Sequence, residues 1–147
     1  MRISKRRCLG INELDKIIGG GVPEGYVILV TGESGSGKTI FAAKFLYEGA
    51  LRYGEKGVYI SLTEVKEKFY EYMKNLGMNF YDLEKKGLIH YEEMLEYRNV
   101  DEVVNRINDT LIRFKYIRVV IDSITSLRSL RSERSIRELL RILLINL

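Results

Sequence analysis

The chain has 147 residues, of which 46% are hydrophobic and 30% charged, so it fits one globular domain spanning residues 1–147 rather than a disordered or fibrous protein. Its single cysteine excludes a disulfide framework, and its single histidine excludes a histidine-based metal cluster. No apolar run approaches the roughly 20 residues of a membrane span, and no apolar segment follows the basic N-terminus. We therefore expect a soluble, cytoplasmic domain.

Strands and helices alternate along the chain, and glycines follow several of the helices. In chain order, the apolar patterns predict a helix Asn12–Ile18, a turn Val22–Gly25, a strand Tyr26–Thr31, a helix Thr39–Tyr53, a strand Val58–Leu62, a helix Val65–Leu76, a strand Leu88–Tyr91, a helix Val103–Phe114, a strand Tyr116–Ile121 and a helix Ser135–Leu147. Asn12 is expected to cap the first helix, and Asn99 with Glu102 has the spacing of a capping box. The alternation predicts βαβ units around a mostly parallel sheet.

One motif carries strong chemical information because it follows a predicted strand and opens a predicted helix. It matches the phosphate-binding pattern G-x-x-x-x-G-K-[ST] at every defined position: Gly32, Glu33, Ser34, Gly35, Ser36, Gly37, Lys38 and Thr39. Glycines let the backbone turn through positive φ angles and bring its N–H groups against phosphate oxygens, and the helix N-terminus favours the anion. Lys38 is expected to contact the β- and γ-phosphates, and the Thr39 hydroxyl to bind Mg²⁺. The motif predicts binding of a nucleoside triphosphate.

Two acidic residues at strand ends are candidates for the rest of the site. The apolar strand before Asp122 ends in a carboxylate that can hold the water shell of Mg²⁺. Ser123 follows it, so a catalytic carboxylate has to come from another strand end. Glu64, just after Val58–Leu62, is the candidate general base, because parallel strands bring their carboxyl ends to one edge. Glu64 is equally well explained as an acidic residue at a helix start, where the helix dipole favours it.

Several motifs together resemble the KaiC branch of the RecA-like ATPases. They occur in one order along nearly the whole chain: Gly10–Asp15, Gly19–Gly25 with the pattern GGG-x-P-x-G, the phosphate loop, and Val119–Thr125. The resemblance implies an α/β fold, the RecA-like P-loop NTPase αβα sandwich. It also implies ATP and Mg²⁺ as ligands, with Lys38 on phosphate and with Thr39 and Asp122 on the metal. In this family the ATP sites usually lie between the subunits of a homo-oligomeric ring or filament.

The chain departs from the family pattern in two places. Clock-protein members carry consecutive glutamates after the second strand, with the first as catalytic base, whereas here the pair is Thr63-Glu64. Either Glu64 takes that role or hydrolysis is slow. The family also places a further strand between the phosphate-loop strand and the aspartate strand, beyond the helix that ends at Leu147. We therefore expect an incomplete sheet in a fragment, or a gap that another segment or subunit fills.

Basic residues give a weaker signal for nucleic acid. The net charge of +4 equals the contribution of the N-terminal residues Arg2, Lys5, Arg6 and Arg7. Such an arm is more often a solvated, frayed terminus than a binding element. A second set recurs at helical spacing: Arg128, Arg131, Arg134, Arg137 and Arg141. These arginines form either a solvated face, which we favour, or a surface for nucleic acid, an acidic partner or a neighbouring subunit's phosphates.

Three functions follow from these observations. The first is slow, Mg²⁺-dependent ATP hydrolysis in a KaiC- or RecA-like oligomer. The second is a nucleotide-binding module that does not hydrolyse ATP and instead signals or supports assembly. The third is a recombinase paralogue that acts on DNA. Glu64 favours the first, and Thr63 favours the second.

Overall fold

The fold is built on a sheet of three parallel strands. A computed structural model describes residues 5–130 together with 137 and 141. The strands of this sheet are β3 (Gly57–Ser61), β4 (Ile89–Glu93) and β5 (Arg118–Asp122), in the order β4-β3-β5. Ser61 pairs with Glu93 on one side and with Asp122 on the other, so all three strands end at one edge.

Helices cover both faces of this sheet. One face carries α2 (Lys38–Tyr53), α3 (Lys66–Asn75) and α4 (Phe80–Lys85), and the other carries α5 (Val100–Phe114) and a 3-10 helix at Ile124–Leu130. Side chains of β3 alternate between two apolar clusters, because successive residues of a strand point to opposite faces. The layering and the parallel sheet confirm the predicted αβα class.

The N-terminal segment is folded rather than frayed in its described part. β1 (Arg6–Arg7) pairs in antiparallel fashion with β2 (Val22–Pro23), and α1 (Asn12–Ile17) lies between them in the chain. The Arg7 guanidinium forms ion pairs with Glu24 and Glu55. The expectation of a frayed arm is wrong for Arg6 and Arg7, because carbonyl and carboxylate acceptors distant in sequence hold them, although Arg6 is exposed.

The predicted strand Tyr26–Thr31 is wrong. These residues adopt no strand, and side chains such as Tyr26 and Leu29 are 64% and 75% exposed. A strand needs a hydrogen-bonded neighbour, and no strand among the described residues pairs with this segment. A cavity of about 180 Å³ is lined by Tyr26 and Ile28 on one side and by residues 116–119 at the start of β5 on the other.

Most other elements agree with the sequence, with local corrections. The short helix α4 was not predicted. Asn12 does not cap α1: Ile11 holds the N-cap position and provides no side-chain cap. Asn99 does cap α5, accepting from the Glu102 N–H at 2.9 Å. Apart from residues 137 and 141, the predicted helix Ser135–Leu147 lies outside the described residues.

Candidate functional site

Two residues far apart in sequence meet at the carboxyl edge of the sheet. Asp122 ends β5, and α2 begins at Lys38 beside the same edge. The Thr39 hydroxyl donates a hydrogen bond to Oδ2 of Asp122 at 2.7 Å, across 83 positions of sequence. The structure therefore brings together the two residues that the sequence assigned to a metal ion.

Backbone carbonyls of the phosphate loop contact the side chain of Lys38, which lies at the end of the loop. Gly37 is the N-cap of α2 at φ +88°, a conformation that a residue with a Cβ rarely adopts. Lys38 Nζ donates to the carbonyl oxygens of Gly32 at 2.8 Å and Glu33 at 2.6 Å. Residues 32–36 are exposed, and the first N–H groups of α2 have no partner within the helix. The loop thus presents backbone donors to solvent, and its own carbonyls hold the ammonium group of Lys38.

The residues at this edge fit a magnesium ion. Mg²⁺ prefers hard oxygen ligands and, at phosphate sites, takes one or two from the protein and the rest from phosphates and water. Oδ2 of Asp122 accepts from the hydroxyls of Thr39 and Tyr59, and within residues 5–127 its carboxylate forms no ion pair. Its negative charge is therefore available to a cation. No group of three or more His, Cys, Asp or Glu side chains in the described part of the chain could hold a metal.

The candidate base Glu64 lies after the middle strand, with its backbone fixed on both sides. Its N–H donates to the Ser61 hydroxyl at 2.9 Å, and its carbonyl accepts from the Tyr91 hydroxyl at 2.9 Å. Its carboxylate is 30% exposed and pairs with Lys68 Nζ at 3.6 Å. Among the described residues, no hydrogen bond joins this carboxylate to Thr39 or Asp122. Its role as base stays a prediction.

Sequence reasoning missed two tyrosines at the site. The Tyr59 hydroxyl donates to Oδ2 of Asp122 at 2.5 Å, and the Tyr91 hydroxyl contacts Glu64 as described. Burial, reinforced by the negative charge of Asp122, raises the pKa of Tyr59 far above its ordinary value, so its hydroxyl stays a donor. A tyrosine within an otherwise aliphatic strand, two residues before the strand end, is the signal that would have found it.

Comparisons with known proteins show what this chain is similar to. The family model described as "ATPase: KaiC" matches residues 8–147. The circadian clock oscillator protein KaiC of Synechococcus elongatus is 31% identical over 133 residues, which span 84% of this chain and 25% of that protein. A UPF0273 protein of Thermotoga maritima is 34% identical over 139 residues, 83% of this chain and 57% of that protein.

A solved structure is similar over almost the whole chain. The KaiC-like protein PH0186 of Pyrococcus horikoshii superposes with a TM-score of 0.83 and 39% identity, over 97% of this chain and 68% of that one. The chain spans between a quarter and three-fifths of the curated relatives named above. None of the described helices is long and apolar enough to cross a bilayer. The family match over residues 8–147 shows that the chain belongs to the KaiC ATPase family.

Proposed function

We propose that this chain binds ATP with Mg²⁺ at the phosphate loop and hydrolyses it slowly. The contact that carries the proposal is the hydrogen bond of 2.7 Å between Thr39 and Asp122. It joins the end of the phosphate loop to the acid at the end of β5, and the two elements are needed together to hold a triphosphate and its metal. Membership of the KaiC ATPase family supports the same function.

Each residue of the site has a defined task in this proposal. The N–H groups of Gly35, Gly37 and Lys38 hold phosphate oxygens, and the Lys38 ammonium moves from the loop carbonyls to the β- and γ-phosphates. The Thr39 hydroxyl oxygen and the Asp122 carboxylate hold Mg²⁺, directly or through its water shell. Mg²⁺ held by these residues would offset the negative charge that develops on the phosphate oxygens.

Hydrolysis needs a base near the attacking water, and we assign that task to Glu64. Its carboxylate takes a proton from water while the water oxygen bonds to the γ-phosphorus and the bond to the β–γ bridging oxygen breaks, giving ADP and phosphate. For this, the side chain has to leave Lys68, an exposed partner whose ion pair is weak. We expect slow turnover, because the Glu64 carboxylate has to leave its ion pair with Lys68 before it can act as the base.

We also propose that the ATP sites lie between copies of this chain in a homo-oligomer. The exposed phosphate loop at residues 32–36 supports this arrangement, because its exposed residues leave space for a second subunit. The family resemblance supports the same arrangement.

A second candidate function is nucleotide binding without hydrolysis. Two observations favour it: Thr63, which is exposed, stands where clock-protein members place their first glutamate, and the Glu64 carboxylate pairs with Lys68. A hydroxyl is not basic at neutral pH, so Thr63 cannot replace an acid. DNA binding stays a prediction, since Arg131 and Arg134 lie outside the described residues.

Phosphate release from Mg²⁺-ATP, measured beside ATP affinity, tests both candidates. We expect slow release by the unchanged chain, loss of ATP binding in Lys38→Ala, and retained binding without turnover in Glu64→Gln. Unchanged ATP affinity in Lys38→Ala would refute nucleotide binding at this loop. ATP binding with no phosphate release by the unchanged chain would establish the second candidate instead.

A further inference from the structure

We propose that Tyr59 is a positioning residue that fixes the orientation of the Asp122 carboxylate and thereby sets the metal affinity of the site. This inference rests on the proposed function. Tyr59 lies on β3 opposite Val120 of β5, and Asp122 is two residues further along β5 on the same face of the sheet. The phenol reaches diagonally across the two strands to Oδ2 of Asp122 at 2.5 Å.

The Tyr59 ring has little freedom to move away from this contact. Tyr59 is only 1% exposed. The ring lies parallel to that of Tyr91 at a centroid distance of 5.3 Å, and against Phe69 at 4.4 Å. Packing on both sides fixes the position of the hydroxyl, so the hydrogen bond constrains the carboxylate rather than following it.

Two donors on one oxygen make the Asp122 carboxylate asymmetric. Oδ2 accepts from both Thr39 and Tyr59, whereas no hydrogen bond from residues 5–127 reaches Oδ1. Oδ1 is therefore the oxygen left to bind the water shell of a metal ion. Without Tyr59, Thr39 alone leaves the carboxylate free to rotate about its contact. Mg²⁺ requires near-octahedral geometry, and loss of such an orienting partner typically lowers metal affinity about 10- to 100-fold.

A matched pair of variants tests this proposal. Tyr59→Phe removes the hydroxyl on Asp122, and Tyr91→Phe makes the same change on the ring stacked against it, whose hydroxyl contacts the Glu64 carbonyl instead. Mn²⁺ binding, followed by electron paramagnetic resonance in the presence of a non-hydrolysable ATP analogue, reports metal affinity. The affinity for the same analogue in EDTA reports nucleotide binding without metal.

We expect Tyr59→Phe to weaken Mn²⁺ binding about 10-fold, with metal-free nucleotide affinity unchanged, and Tyr91→Phe to leave Mn²⁺ binding unchanged. In an Asp122→Ala background, Tyr59→Phe should produce no further loss, because Tyr59 acts through that carboxylate. A loss of Mn²⁺ affinity that comes from lower stability would persist in the Asp122→Ala background, so this background separates the two causes.

Other outcomes would overturn the proposal. Unchanged or tighter Mn²⁺ binding in Tyr59→Phe contradicts it, and so does an equal loss in Tyr91→Phe, which would show general loosening of the aromatic cluster. In either case the proposed nucleotide binding stands. If the unchanged chain binds no nucleotide, with or without metal, the proposed function fails and this inference fails with it.

Discussion

The two ends of β5 both carry a charged side chain, and the surroundings of the two charges differ. Arg118 begins the strand and is 2% exposed. Its Nε donates to Glu55 at 2.6 Å, its Nη1 donates to the carbonyl oxygens of Cys8 and Phe45, and its guanidinium lies 4.6 Å from the Phe45 ring centroid. Asp122 ends the strand, is partly exposed, and accepts from two neutral hydroxyls.

The two charges therefore differ in whether the protein itself neutralises them. At the Arg118 end, a carboxylate neutralises the guanidinium and two backbone carbonyls accept from its Nη1, so no charge is left over for a ligand. At the Asp122 end, two hydroxyls donate to the carboxylate, and within residues 5–127 no cation neutralises it. One strand therefore contacts the N-terminal segment at one end and carries, at the other, the carboxylate at which we propose that Mg²⁺ binds.

Breaking the Arg118 end should give the largest effect, and the effect should be on stability. Arg118→Ala leaves Glu55 buried beside a cavity, with Arg7 as its remaining partner, and we expect the free energy of unfolding to fall by about 3–5 kcal/mol. Urea denaturation followed by circular dichroism measures it. Arg113→Ala, on the exposed side of α5, is the control and should change stability by less than about 0.5 kcal/mol. A loss below about 1 kcal/mol for Arg118→Ala would contradict the structural role.

Changing the Asp122 end should affect activity instead. Asp122→Asn keeps an oxygen that can accept from Thr39 and Tyr59 but removes the charge offered to Mg²⁺. We expect Mg²⁺-ATP turnover to fall roughly 100-fold, while the free energy of unfolding stays within about 1 kcal/mol. Phosphate release and urea denaturation on the same samples measure the two effects. A loss of stability as large as that of Arg118→Ala would remove the distinction between the two ends.

Gly49 provides a further test at the Arg118 end, because the absence of a Cβ at this position leaves space for the Arg118 side chain. A Cβ at position 49 of α2 would lie 2.2 Å from Arg118 Nε, and the guanidinium cannot withdraw without losing its acceptors. We expect Gly49→Ala to cost about 1–3 kcal/mol of stability, although alanine is the better helix former. In an Arg118→Ala background the same change should be neutral or stabilising. An equal cost in both backgrounds would show that Arg118 is not the obstacle.

The smallest effect concerns pH and the tyrosine that contacts Asp122. Burial raises the pKa of Tyr59 above the unfolded value of about 10, so the folded chain binds more protons than the unfolded chain at higher pH. Stability is therefore unaffected by this group below about pH 10 and falls above it, by up to about 1.4 kcal/mol per pH unit. Tyr59→Phe should reduce that slope, measured by urea denaturation between about pH 8 and 11. The half-exposed Tyr72 provides the control substitution, and equal slopes in Tyr59→Phe and the unchanged chain would contradict the prediction.

Local patterns predicted much of the fold and the main elements of the site. The phosphate loop is contiguous, its glycines and Lys38 are readable at fixed spacing, and the strand before Asp122 is an apolar run with an acid at its end. The strands β3, β4 and β5 lie within a few residues of their predicted positions. The pairing of Thr39 with Asp122 also followed, because parallel strands end at a common edge.

The failures of prediction have a common physical cause. An apolar run such as Tyr26–Thr31 has the composition of a strand, but a strand forms only where a neighbouring backbone accepts its hydrogen bonds. Likewise, the basic composition around Arg6 and Arg7 is typical of a solvated arm. In the structure, however, ion pairs with Glu24 and Glu55 hold Arg7 against the rest of the fold. Local sequence contains neither the missing neighbour nor the distant carboxylates.

The sequence by itself determined the family, the phosphate loop and the strand that ends in Asp122, because each is written in residues close together in the chain. Only the tertiary structure decided the contacts of Tyr59 and Arg118, which each meet their acidic partner across 63 positions of sequence. The sequence near Tyr59 does not show which residue its hydroxyl contacts, and nothing near Arg118 distinguishes it from other charged residues. What a buried polar group does depends on the partner that folding places beside it.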